Sequence, residues 1–158
     1  YALPGAVIGI SIILLFAPIN DSLGFLLIGS IPVLVYAYFI RYMAVAVSPV
    51  VSSFKKYPIK LDDSGKSLGL KPFEFFRKIF LPLNKNAFII AFCMCFVDIM
   101  KDLPLTLILR PFNFDTLATQ TYEYAIEEMI TKSSIYSITI VIFGVILLSI
   151  LSINQSKK

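Results

Sequence analysis

The 158-residue sequence predicts an all-α integral membrane protein with four transmembrane helices and one large cytoplasmic loop. Hydrophobic residues make up 58% of the chain and charged residues 15%, and the mean hydropathy is +0.84. Soluble domains carry about 25% charged residues, and a chain this short cannot bury so much apolar surface in a water-facing core. The apolar runs are also too long and too uniformly apolar for the alternating strands of a membrane barrel. Composition therefore argues against soluble, disordered and barrel-forming proteins.

Four apolar segments approach the ~20 residues that a helix needs to cross the hydrocarbon core. We predict spans over about residues 2–19, 22–45, 86–109 and 133–153. The first and fourth contain no charged residue. The second holds only Arg41, near its predicted end, where a long cationic side chain would reach the membrane interface.

The distribution of Lys and Arg predicts the orientation of the chain, because cytoplasmic loops carry an excess of basic residues. Between the second and third spans lie Lys55, Lys56, Lys60, Lys66, Lys71, Arg77, Lys78 and Lys85. Two lysines follow the fourth span, whereas the loop at 110–132 contains two basic and four acidic residues. The loop at about 54–85 and the C-terminus are therefore predicted to be cytoplasmic. Because Tyr1 already lies in apolar sequence, we expect the chain to be part of a longer protein.

The central loop is predicted to contain two short helices. Residues 61–71 begin with aspartates suited to an N-cap and end near Gly69, a helix-stop residue. Pro72 suits the first turn of a second helix, which Leu81-Pro82 is expected to end. This second helix would place three aromatic residues on one face: Phe73, Phe76 and Phe80. The two helices could pack on each other or on a partner, or the segment could rest on the membrane surface.

A spaced series of residues crosses this loop. Asp63-Ser64-Gly65 is followed after three residues by Gly69, and nine residues later comes Ile79-Phe80-Leu81-Pro82. The series resembles the signature of permease subunits of binding-protein-dependent ABC importers, which is Glu-Ala-Ala, three residues, Gly, nine residues, Ile, any residue, Leu-Pro. Asp, Ser and Gly here replace the Glu-Ala-Ala triplet. In that family the first short helix docks on an ATPase subunit. The resemblance implies ATPase-coupling roles for Asp63, Ser64, Gly65, Gly69, Leu70, Ile79, Leu81 and Pro82.

A second stretch narrows the resemblance. It contains Lys101-Asp102-Leu103-Pro104, then Leu109-Arg110-Pro111-Phe112, then Phe114-Asp115-Thr116-Leu117-Ala118. This pattern is similar to the third-span exit of ferric-iron importer permeases, and thiamine and phosphonate permeases share a looser form of it. The resemblance implies the C-terminal part of such a permease, or the second half of a fused, duplicated one.

Partners and location follow from the same resemblance. It implies a multi-pass protein of a prokaryotic inner membrane that works with a cytoplasmic ABC ATPase dimer and an external solute-binding protein. A second permease copy or a fused half would complete the path. ATP would be used by the ATPase, so we expect no catalytic residue and no cofactor bound by this chain, and no nucleic-acid partner.

Charged residues in the third span form a second candidate site. Asp98, Lys101 and Asp102 have i, i+3 and i+4 spacing, which places them on one helix face, and Pro104 is expected to kink the helix nearby. A charge at this depth normally faces a cavity or the interior of a helix bundle. The face could line and gate the translocation path, or an internal ion pair, between Asp98 and Lys101 or between Lys101 and Asp102, could lock helix packing. We expect no metal site here, and we interpret Cys93 and Cys95 as small buried residues.

Two other functional classes remain as alternatives. An autonomous carrier or channel could use Asp98, Lys101 and Asp102 as an ion relay, but it would have no need for the glycine-to-Leu-Pro spacing of the loop. A membrane enzyme is disfavoured because the chain has no His and no paired carboxylates beside a nucleophile.

Overall fold

The computed structural model describes the backbone at residues 3–23, 27–55 and 71–156 and the side chains at 3–20, 27–55 and 71–152. These parts of the chain are helical, as predicted. The helices are α1 (Gly5–Leu23), α2 (Ile31–Phe54), α3 (Pro72–Phe75), a π-segment (Phe76–Phe80), α4 (Leu81–Met100), α5 (Pro104–Leu109), α6 (Leu117–Ile126) and α7 (Ile130–Ser156).

Within the described ranges, three helical stretches are long and apolar enough to cross a membrane: Ile31–Phe54, Pro72–Met100 and Ile130–Ser152. They correspond to the second, third and fourth predicted spans. The apolar part of α1, Gly5–Asn20, is shorter. Its 16 residues extend about 24 Å at 1.5 Å per residue, less than the ~30 Å hydrocarbon core. That the chain crosses the membrane four times therefore stays a prediction.

The second span is longer than the sequence indicated. α2 runs for 24 residues from Ile31 to Phe54, past the predicted end near residue 45, and contains Pro49 in its interior. Pro32 occupies its first turn, where the missing N–H has no intrahelical partner to lose. Arg41 consequently lies near the middle of the helix and not at its end, which corrects the prediction that it reaches the interface.

The third span differs from its predicted course at both ends. Helical structure begins at Pro72 and continues through the π-segment into α4, so Leu81-Pro82 does not end the second short helix. The helix then ends at Met100, not at residue 109, and a new helix starts at Pro104. Proline provides no N–H and its ring clashes with the carbonyl four residues earlier, here that of Met100. The predicted kink is thus a complete break over residues 101–103.

The short helix α5 lies in the centre of the described structure. Its Leu105, Thr106 and Leu109 are fully buried. The core around it joins residues of α1, α2 and α5: Ile8, Ile12, Val33, Leu34, Ala37, Leu105 and Leu109. α1 approaches closely at Gly9, where an added Cβ would lie 3.0 Å from the side chain of Ile108. The break after Met100 therefore allows the chain to place a polar turn and a buried helix between α1 and α2.

The last two helices form a hairpin, and α7 also packs against α4. Thr116 caps α6 by accepting a hydrogen bond from the backbone N–H of Thr119 at 3.3 Å. Tyr124 of α6 stacks on Tyr136 of α7 with ring centroids 5.5 Å apart, and the Ser133 hydroxyl donates to the Thr121 carbonyl at 2.9 Å. These contacts orient α6 along the start of α7.

Candidate functional site

The break between α4 and α5 brings together the charged residues of the third span. Lys101 caps α4, and Leu103 precedes the first turn of α5. Asp102 lies between them and is buried, with its side chain fully removed from solvent. A buried carboxylate is stable only when it is paired and hydrogen-bonded, so its surroundings decide whether the turn can exist.

Asp102 is held by donors from two helices. Its Oδ2 accepts a hydrogen bond from the Tyr42 hydroxyl at 2.6 Å and lies 3.2 Å from Nε of Arg41, both on α2. Its Oδ1 accepts from the backbone N–H of Leu105 at 3.4 Å, and its backbone carbonyl accepts from the Thr106 hydroxyl at 2.6 Å. These contacts tie the centre of α2 to the turn that starts α5.

The Arg41 side chain, which pairs with Asp102, lies close to α1. The guanidinium of Arg41 is mostly buried, 5.6 Å from the ring centroid of Tyr42, and its Nη1 lies where a side chain on Gly5 would be. A Cβ built on Gly5 would lie 1.6 Å from that nitrogen. The absence of a side chain at position 5 therefore gives Arg41 the space to reach Asp102.

Asp98 and Lys101 form a second, more exposed ion pair at 2.8 Å, with the Lys101 side chain 60% exposed. Asp98 also borders a cavity of about 380 Å³ between α2 and α4. The other lining residues are Ala44, Val45, Ser48, Pro49 and Met94. The cavity is thus apolar with one carboxylate at its edge, and that carboxylate is partly neutralised by the lysine.

The structure places the predicted path residues at one break but not on one helix face. Asp98 belongs to α4, whereas Lys101 and Asp102 lie beyond its end and Pro104 begins α5. Of the two ion pairs considered from the sequence, the pair between Asp98 and Lys101 is present. Asp102 pairs with Arg41 instead.

Arg41 and Tyr42 were missed by the sequence analysis. The signal was present: a single arginine inside an apolar run that continues to Val51 must find an acidic partner or water at membrane depth. α2 continues to Phe54, so Arg41 lies near the middle of a helix that is long and apolar enough to cross a membrane.

The predicted coupling residues are divided between two parts of the chain. Asp63, Ser64, Gly65, Gly69 and Leu70 lie outside the described residues. Ile79 lies on the π-segment, and Leu81 and Pro82 form the first turn of α4. The structure therefore describes only the Ile-x-Leu-Pro end of the spaced series.

A polar cluster occupies the loop after α5. Arg110 donates hydrogen bonds through Nη1 to Asp115 and through Nη2 to Glu123 of α6. A cavity of about 570 Å³ lies beside this pair of contacts, and Phe112 at its edge is 95% exposed. The acidic residues of this loop are thus partly neutralised within the loop itself.

Metal coordination has no evident place among the described side chains. No three Cys, Asp or Glu residues there are close enough together to hold a metal ion. Cys93 and Cys95 are both free thiols; Cys93 is buried, as predicted, whereas Cys95 is only partly buried.

Comparison with known proteins agrees with the sequence motifs. Residues 1–156 match the family described as binding-protein-dependent transport system inner membrane component. The chain is also similar to the Fe(3+)-transport system permease protein FbpB 2 of Haemophilus influenzae, with 27% identity over 144 residues. That alignment covers 91% of this chain and 28% of the relative, so the chain spans less than a third of the relative's length. The chain belongs to the family of binding-protein-dependent transport system inner membrane components.

Proposed function

We propose that this chain is the C-terminal part of the permease of an ATP-driven, binding-protein-dependent importer of ferric iron. The observation that carries the proposal is the family match over residues 1–156. The solute is proposed from the relative that is named as an Fe(3+)-transport permease. An external binding protein would deliver the iron, as the description of the family as binding-protein-dependent suggests.

The coupling step is proposed to begin in the loop before α3. A cytoplasmic ATPase dimer would press on residues 61–71 as it closes. The continuous helical stretch from Pro72 to Met100 supports this route, because its 29 residues extend for about 43 Å and lead directly to the break at residues 101–103. Movement at the loop would therefore reach the buried Asp102 along one unbroken helical stretch.

The break after α4 is proposed to be the gate of the translocation path. Irregular backbone inside a membrane is tolerated where it is packed in protein or borders a cavity. Asp102 in the break is buried, and Asp98, one turn earlier, borders the cavity between α2 and α4. Asp98, Lys101, Asp102 and Pro104 would form the gate, and Arg41 would hold Asp102 in the closed arrangement. Alternating access would then require the contact between α2 and this turn to change.

The gate is tested by Asp102→Asn in the full-length transporter. This change keeps the size of the side chain but removes its charge, so we expect uptake to fall several-fold more than the amount of protein in the membrane. A loss of protein that fully accounts for the loss of uptake would show that the turn serves only helix packing.

The ATPase partnership is tested by a cross-link. In the full-length protein, Cys93 and Cys95 are replaced by Ser, a single Cys is placed at Leu70, and the protein is co-expressed with its ATPase, with and without ATP. We expect a nucleotide-dependent cross-link, which Gly69→Glu should abolish while membrane insertion persists. A loop that is freely labelled, with no cross-link, would contradict the proposal and favour an autonomous carrier.

A further inference from the structure

The helix that leads from the coupling loop into the membrane changes its geometry at one place. Between α3 and α4, residues Phe76–Phe80 form a π-helix, and the Leu81 N–H donates to the carbonyl of Phe76, five residues earlier. π-turns inside α-helices are rare and frequently mark functional sites. The wider turn comes immediately before Pro82, which has no N–H and whose ring would crowd a carbonyl in a regular helix.

Asn84 supports the transition from π- to α-helix. Its side-chain Nδ2 donates to the Phe80 carbonyl at 2.9 Å, which is the carbonyl that its own backbone N–H would use in an α-helix. The side chain can therefore keep this carbonyl hydrogen-bonded while the backbone partner changes between α and π registers. Asn84 is 2% exposed, and its Oδ1 is buried without a hydrogen-bond partner among the described residues.

An unpaired amide oxygen in a buried position destabilises the state in which it occurs. Asn84 lies on the buried stripe of α4 that also includes Ala87 and Ala91, along the contact with α2. A leucine would fill the same space with no polar atom to satisfy. The presence of an amide at this position points to a second arrangement of the helix in which its hydrogen bonds differ.

Aromatic side chains surround the same turn and can slide on one another. Phe80 stacks on Phe76 at 5.4 Å and contacts Phe54 of α2 and Phe88 of α4 at 5.8 and 6.3 Å. Aromatic rings tolerate several relative orientations at such separations. The π-segment is therefore bordered by ring contacts that occur at several interplanar angles.

We propose that the π-segment is a movable joint between the coupling loop and the membrane span, and that Asn84 is the positioning residue whose side chain keeps the Phe80 carbonyl hydrogen-bonded as the joint moves. The inference rests on the proposed function, because the loop before Pro72 would supply the motion. A shift of the π-turn along the helix changes the rotation and tilt of residues 72–80 relative to α4. Motion of the loop would thus reach the gate as rotation as well as translation.

The joint is tested by distances between spin labels in the full-length protein in lipid nanodiscs. With Cys93 and Cys95 replaced by Ser, labels are placed at the exposed positions Phe73 and Phe92, on either side of the π-segment. We expect the mean distance to change by about 1.5 Å, one residue's rise, or more between the nucleotide-free and the trapped ATP-bound transporter. A control pair at Val35 and Val51 spans α2, which contains Pro49 within regular α-helix, and should not change.

Two variants separate a joint from a merely structural turn. Asn84→Leu removes the amide, so we expect the distance change to fall by at least half and uptake per ATP to fall with it, while thermal stability is kept or increased. Pro82→Ala restores the N–H, so we expect it to narrow the distance distribution even in the permease without its ATPase. Pro49→Ala in α2 is the matched control and should leave the distribution between positions 73 and 92 unaltered.

The outcomes distinguish this inference from the proposed function. A cross-link at position 70 with an unchanged distance between positions 73 and 92 would contradict the inference that the π-segment moves. It would still support the proposed importer function. If Asn84→Leu lowers stability and uptake together and the surviving protein keeps its full distance change, Asn84 is a packing residue and the inference is overturned. If Pro82→Ala does not fold, the result with Asn84→Leu decides between a movable joint and a turn that serves only packing.

Discussion

Two arginine–carboxylate clusters of this protein use the same chemistry in different surroundings. Arg41 reaches Asp102 from the middle of a membrane helix, and the Asp102 side chain has no exposed surface. Arg110 reaches Asp115 and Glu123 in the loop after α5, where both carboxylates are more than a third exposed. Water can replace the partners of the second cluster but not those of the first, so the contribution of each cluster is decided by burial rather than by the residues in it.

The largest expected effect is that of removing Arg41. Arg41→Ala would leave the Asp102 carboxylate buried without its cation, which destabilises proteins by about 3–5 kcal/mol. Thermal unfolding of the full-length protein in nanodiscs measures the loss. The double variant Arg41→Met with Asp102→Leu is the control, because apolar residues in place of both partners should recover most of the stability. Equal stability of the single and the double variant would contradict a charge-paired interior.

The difference in burial between the two clusters could not be predicted from the sequence. Apolar runs predicted spans over about residues 22–45 and 133–153, which overlap the observed helical stretches Ile31–Phe54 and Ile130–Ser152, because length and composition are local properties of the chain. The Lys101-Asp102-Leu103-Pro104 series indicated a disturbance at the right place, since a proline acts on the carbonyl four residues earlier. The partner of Asp102 could not be chosen locally, because Arg41 is distant in sequence and its depth depends on how far α2 continues.

A smaller effect is expected from the hydroxyl that shares Asp102 with Arg41. Tyr42→Phe removes the 2.6 Å hydrogen bond to Oδ2 but keeps the cation and the ring. Hydrogen bonds to charged groups contribute about 1.5–3 kcal/mol, so the loss should fall below that of Arg41→Ala. Tyr36→Phe is the control, since the Tyr36 ring packs on Phe16 at 5.8 Å and that contact persists. Similar melting temperatures for the two variants would contradict the role of the Tyr42 hydroxyl.

The space at Gly5 provides an indirect way to disturb the same ion pair. Gly5→Ala places a Cβ 1.6 Å from Nη1 of Arg41, so the guanidinium must move away from its position beside Asp102. Overpacking of this kind destabilises by about 1–3 kcal/mol. In an Arg41→Met background the same change should have little effect, because residues that share one contact are not additive.

Gly144 offers the matched control for that substitution. Gly144 lies inside α7 with no atom within 4 Å of an added Cβ. Alanine is the better helix former there by about 0.5–1 kcal/mol, so Gly144→Ala should leave the protein as stable or more stable. A loss of stability as large as that of Gly5→Ala would show that the effect at position 5 does not come from Arg41.

The exposed cluster should give the smallest change. Arg110→Ala breaks the contacts with Asp115 and Glu123, yet exposed ion pairs contribute about 0–1 kcal/mol because water and salt ions compensate the charges. We expect a small loss of stability that shrinks further between about 0.05 M and 0.5 M salt, as the Debye length shortens. The loss caused by Arg41→Ala should persist across that range, because salt does not reach a buried carboxylate. Arg110→Ala could instead destabilise the protein as strongly as Arg41→Ala and independently of salt. Burial would then not explain the difference between the two clusters, and a partner would have to exclude water from the loop after α5.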